Sequence, residues 1–187
     1  MKPCPLCTSP LSLTFLEDQL PVHACPNGHG HWLPTNEYLL WLRLQLQHQQ
    51  ATPTSLDAPA PASVPHTESE KAKICPDCGR LLRRYKVWPN LDFYLDRCNT
   101  CNGVWFDQNE WAILKEYKVH DEITLIFTQP WQEQIRELES RHFFENMYQT
   151  RFGADYEEIK RLRAWLENHP QKTNVIAYLL DEDPYKA

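Results

Sequence analysis

The chain holds seven cysteines, and every one belongs to one of two copies of a single spacing. Cys75-Pro76-Asp77-Cys78 is followed by Cys98-Asn99-Thr100-Cys101, and Cys4-Pro5-Leu6-Cys7 by Cys25-Pro26-Asn27-Gly28-His29. Seventeen residues separate Cys7 from Cys25 and nineteen separate Cys78 from Cys98, enough for a hairpin. Modules this short cannot bury enough apolar surface to fold unaided. Two Cys-x-x-Cys turns brought together by a hairpin offer four donors to one tetrahedral metal ion, which supplies the missing stability.

The second set is complete. Cys75, Cys78, Cys98 and Cys101 are expected to form a Cys4 shell for zinc, with iron as the other metal that four thiolates suit. The first set supplies Cys4, Cys7 and Cys25, and Gly28 falls where the fourth cysteine belongs. His29 stands beside that gap and is expected to complete a Cys3His shell, with His23 and His31 as alternatives in the same module. Two zinc ions per chain follow.

The similarity of the two copies runs past the cysteines. Setting Cys25 on Cys98 also sets Gly30 on Gly103, Trp32 on Trp105, Asn36 on Asn109, Glu37 on Glu110 and Leu40 on Ile113. A small zinc-stabilised α+β fold is expected, with two ribbons, each a β-hairpin plus a short helix, and an α-helical C-terminal region. The boundaries read as ribbon 1 at 1–49, a flexible Pro-rich linker at 50–73, ribbon 2 at 74–120 and a helical region at 121–187. Leu91, Phe93 and Leu95 alternate with polar residues opposite a strand over 81–88, and Leu11, Leu13 and Phe15 alternate in the first module. Helices are expected over 36–47, capped by Thr35, and over 108–117, opened by an Asp107/Glu110 capping box. Trp131, Ile135, Leu138 and His142 start a helical stripe that Gly153 breaks. Asp155 with Glu158, and Thr173, mark two further helix starts.

The run Cys75-Pro-Asp-Cys78-Gly, a hairpin, then Cys98-x-x-Cys101-Asn-Gly103-Val-Trp105-Phe-Asp107-x-x-Glu110-x-x-x-Leu114 resembles the bacterial zinc ribbons grouped with transcription factor IIB. The resemblance covers residues 74–117 and, more loosely, 3–42. It implies the ribbon fold and zinc at the four cysteines. It leaves the role open, because ribbons of this type serve in transcription proteins, enzymes and adaptors. The first copy departs at Thr8 for glycine, Gly28 for cysteine, the inserted His29 and Pro34 for aspartate.

Three roles compete. Helix 36–47 is apolar nearly all round, which suggests a protein-binding adaptor that uses Leu39, Trp41, Leu42 and Leu46 against an unidentified protein or a second copy. Arg80, Arg83, Arg84 and Lys86, with Trp88, form a basic hairpin suited to nucleic acid or an acidic partner. A net charge of −6 weighs against the nucleic-acid reading, and 13 acidic against 8 basic residues in 121–187 account for most of it. Enzymatic activity is not expected, since no convergent acid–base set stands out. Paired thiols without an export-type leader or a membrane-length apolar run fit a reducing cytoplasm.

Overall fold

The computed structural model describes residues 1–46 and 71–186; the Leu46 side chain and most of the linker reading fall outside the described residues. The chain divides into two units, Met1–Glu139 and Ser140–Ala187.

In the first unit each cysteine module forms three short strands and a helix: β1 (Ser12–Glu17), β2 (Leu20–Ala24), β3 (Gly30–Leu33) and α1 (Thr35–Leu46), then β4 (Arg83–Lys86), β5 (Tyr94–Arg97), β6 (Val104–Asp107) and α2 (Glu110–Glu116). The hairpins lie where alternation predicts them, though the second is shorter, with β5 starting at Tyr94 rather than Leu91. Strands β3 and β6 are the departure from expectation, since the sequence reading passes straight from each second metal turn to a helix. They pair with each other, antiparallel, matching Gly30 to Asp107, His31 to Phe106, Trp32 to Trp105 and Leu33 to Val104. The sheet therefore runs β1-β2-β3-β6-β5-β4 without a break between modules. Ladder hydrogen bonds, not the linker, set the orientation of one module to the other.

Each sheet face has its own core. One face carries Leu20, Val22, Leu33, Leu95, Val104 and Phe106 against the helices. Trp32, Trp105, Leu82 and four buried cysteines fill the other. Leu13 and Phe15 break the expected alternation, being 66% and 62% exposed, because β1 is an edge strand that no helix among the described residues covers on that face.

Residues after α2 complete the helix-side core. The short helix α3 (Ile123–Ile126) and the first turns of α4 (Gln129–Phe152) add Ile123, Ile126, Trp131, Ile135 and Leu138 to it. The Trp131 indole donates to the Val87 carbonyl at 3.2 Å. The boundary read at 121 thus falls inside a packed unit, and the structural division comes at 139/140. His142, the last residue of the predicted stripe, is exposed.

The second unit contains the rest of α4, a single 3-10 turn at Gly153–Asp155, α5 (Tyr156–Glu167) and α6 (Lys172–Leu180). Gly153 breaks the helix as expected, with φ at 56°. Asp155 makes no side-chain cap, and α6 starts one residue before Thr173. None of this unit's described residues is fully buried. No helix among the described residues is long and apolar enough to cross a membrane.

Candidate metal centres

The hairpins carry the two halves of each cysteine set to one place. In the second module the Cys75 and Cys101 sulfurs lie 3.5 Å apart and those of Cys78 and Cys98 3.4 Å apart. Cys98 N–H donates to the Gly103 carbonyl at 2.9 Å and Gly79 N–H to the Cys75 carbonyl at 3.0 Å, which closes the two metal turns. Gly79 takes φ 70°, a conformation open to glycine without a Cβ penalty.

The first module repeats this geometry with different residues. Cys25 N–H donates to the Gly30 carbonyl at 2.9 Å and Thr8 N–H to the Cys4 carbonyl at 2.9 Å. Thr8 adopts φ 60°, so the turn has the same form as the one at Gly79 despite a β-branched residue there. The second loop is tighter. Its left-handed residue is Gly28 (φ 74°), directly before His29, whereas in the second module it is Asn102 (φ 62°), directly after Cys101. His29 Nδ1 thereby reaches 3.4 Å from the Cys25 sulfur and 3.8 Å from that of Cys4, while Cys7 and Cys25 are 3.6 Å apart.

These separations fit a bound ion. Zinc–sulfur bonds of ~2.3 Å at tetrahedral angles put sulfurs ~3.8 Å apart, and an imidazole nitrogen at ~2.05 Å lies ~3.6 Å from each sulfur. Within each tetrad every ligand atom lies inside 4.8 Å of the others. The two tetrads, Cys4-Cys7-Cys25-His29 and Cys75-Cys78-Cys98-Cys101, suit two zinc ions. His23 and His31 belong to neither group.

The thiols in one shell are unequal. Burial pushes Cys4 up to about 12. Hydrogen bonds from Ser9 and from the Asn27 amide draw Cys7 down to about 5. Burial opposes ionisation of Cys98, but the N–H groups of Cys101 and Thr100 hold it at about 6, while burial raises Cys75 and Cys101. A central divalent cation is what lets all members of such a shell ionise together.

Residues 74–117 match the family model described as transcription factor zinc-finger. That zinc ribbon carries the complete Cys4 set. No curated protein and no solved structure matches the chain. Outside residues 74–117, the assignment of the first module as a second ribbon rests on its own tetrad and its alignment with this one.

Of the residues expected at an apolar interface, Trp41 is buried inside the chain, with its ring 5.8 Å from and edge-on to that of Trp111. Leu42 is half-buried against the core, and Leu39 is exposed, as are Leu40 and Leu44. The apolar belt of α1 is thus divided: Tyr38 and Trp41 dock the helix on the second module, where the Tyr38 hydroxyl donates to the His120 carbonyl at 3.1 Å and accepts from Ile123 N–H at 3.2 Å. On the basic hairpin Arg80 and Arg83 are exposed, Arg84 lies over the Tyr94 ring at 4.3 Å and Lys86 pairs with Glu139. Trp88 is buried.

A buried charged network went unread in the sequence. Lys73, assigned there to the flexible linker, is 2% exposed; it donates to Asp96 at 2.5 Å and Asp107 at 2.7 Å. Asp107 also accepts from the Trp105 indole at 2.6 Å, and its N–H donates to Glu110 at 2.8 Å. The Glu110 arm of the expected capping box is therefore present, although α2 starts at Glu110 rather than at Gln108, and the Asp107 carboxylate also serves Lys73. In the first module Lys2 pairs across the module boundary with Asp77, which accepts from the Trp32 indole at 2.9 Å. The available signal was a lysine two residues before the first cysteine of each set.

Proposed function

We propose that this chain is a non-enzymatic, cytoplasmic protein-binding adaptor whose two copies of a zinc ribbon form one rigid platform. The observation that carries this reading is the division of α1. Its Tyr38–Trp41 face is spent on fixing the platform, while Leu39, Leu40 and Leu44 stay exposed at 45%, 55% and 37%. Large apolar side chains left exposed on a structure braced by metals and a continuous sheet favour a protein interface. The shells favour a structural role for the metals, since four protein donors leave no coordination position for water, which catalytic zinc keeps.

The experiment is a proximity cross-linking comparison of the full chain with a Leu39→Asp/Leu40→Asp variant, both checked for metal content. A partner joined to Leu39–Leu44 in the parent and lost in the variant supports the adaptor. Equal labelling patterns refute it.

Nucleic-acid or transcription-complex binding is the second reading, favoured by the exposure of Arg80 and Arg83 beside half-buried Tyr85 and Tyr94. The net charge of −6 and the pairing of Lys86 with Glu139 weigh against it. Fluorescence anisotropy with single- and double-stranded oligonucleotides, repeated for Arg80→Glu/Arg83→Glu, separates the two. Salt-sensitive binding lost in that variant would favour nucleic acid.

A further inference from the structure

Helix α5 has two apolar faces, and one of them is turned toward α4. Tyr156 and Ile159 line a groove of about 780 Å³ that also involves Phe144, Tyr148 and Phe152 of α4. The other face carries Glu158, Leu162, Trp165 and His169, the last directly beyond the helix end at Asn168. Spacings of four, three and four keep these side chains on one side of a helix with 3.6 residues per turn. Leu162 is 46% and Trp165 54% exposed, and the His169 ring stands 4.5 Å from the Trp165 ring.

That face is a palindrome in spacing and in chemistry. Its middle is apolar, one end is a carboxylate and the other an imidazole. Reversed end for end about a point between Arg163 and Ala164, it reads Leu162 against Trp165 and Glu158 against His169. A surface complementary to its own reverse is what a two-fold axis requires, because an isologous interface uses one patch on both copies.

We infer that a second copy of this chain covers this face, with α5 packed antiparallel on α5. Leu162 of each copy lies against Trp165 of the other, and Glu158 against His169. A stable interface takes ~800 Å² from each partner. Two large side chains per copy supply only part of that, so the pairing is weak, in the micromolar range. The inference does not depend on α1, whose exposed leucines belong to the other unit.

Sedimentation equilibrium of the zinc-loaded full chain from about 1 to about 100 µM tests it. A reversible monomer–dimer equilibrium is expected, shifted at least tenfold toward monomer by Leu162→Asp and by Trp165→Ala. The exchange Leu162→Trp with Trp165→Leu restores the facing pairs and returns association toward the parent. Leu39→Asp/Leu40→Asp leaves it unchanged. Metal content in each variant reports that the first unit is intact. A chain monomeric at the top concentration, or a dimer indifferent to Leu162→Asp, overturns the inference. A dimer abolished by the α1 variant instead would overturn it too, while locating self-association on the proposed adaptor surface.

Discussion

Trp32 and Trp105 are paired residues at the centre of the β3–β6 ladder, each seven positions beyond the third cysteine of its own set. Both are fully buried, in the core that contains cysteines of both tetrads. The Trp32 indole crosses to Asp77, between the ligands Cys75 and Cys78 of the other module, while the Trp105 indole stays with Asp107. The position matching Asp77 in the first module is Leu6, which offers no acceptor. Trp32→Ala is therefore expected to destabilise the chain by ~3–5 kcal/mol through the cavity it leaves, and Trp32→Phe by less. Denaturant titration followed by far-UV circular dichroism measures both.

Gly103 is the complement of this packing. A Cβ there would collide with the Trp32 ring. Gly103→Ala is expected to cost ~1–3 kcal/mol, as overpacking does. The cost should largely vanish in a Trp32→Ala background, a coupling that a double-mutant cycle reads directly.

Thr8 carries a left-handed backbone conformation at φ 60°, which costs a β-branched residue ~1–2 kcal/mol. Its hydroxyl donates to the Cys7 carbonyl at 2.6 Å, which offsets part of that. Thr8→Gly, restoring the residue used at position 79, is expected to raise stability by about 1 kcal/mol in the same titration.

Much of this fold was legible because the cysteines had to be. Their spacing located both metal turns and hairpins, and the position of His29 beside Gly28 made it the expected eighth donor, the histidine that groups with Cys4, Cys7 and Cys25. The pairing of the modules was not legible. Strands β3 and β6 are four residues long, too short for alternation to register, and each exists because the other covers its edge. Trp32 and Trp105 were visible as matched positions, but matching does not reveal that they meet. Trp41 looked like surface for the same reason: only the second module, docked, buries it. Lys73 read as linker because a lone lysine in a polar run gives no sign of the two carboxylates that await it.

His29→Ala is expected to release the first ion while the Cys4 site keeps its own, and His29→Cys is expected to retain two ions. Metal analysis after dialysis against a weak chelator checks this. Retention of both ions in His29→Ala would assign the fourth donor elsewhere.

Lys73→Met should cost ~3–5 kcal/mol, because it leaves Asp96 and Asp107 buried without their cation. Adding Asp96→Asn and Asp107→Asn should recover part of the loss in thermal melts.

Glu110 sets a pH dependence. Burial, then the charge of Asp107, raises its carboxyl well above the usual range; Lys73 acts against this and Asp96 adds to it. The folded state therefore holds a proton that the unfolded chain releases near 4.5. Stability from this group is complete below that value and is lost as pH rises through the folded pKa, with a slope of at most ~1.4 kcal/mol per pH unit. As pH rises above the unfolded value, Glu110→Gln should show a shallower fall than the parent, and parallel curves would contradict the assignment.

Native mass spectrometry of the purified chain tests the central claim most directly. The account predicts a mass increment of two zinc ions per chain, retained together until strong chelation. A single ion per chain, none, or the mass of iron would contradict it.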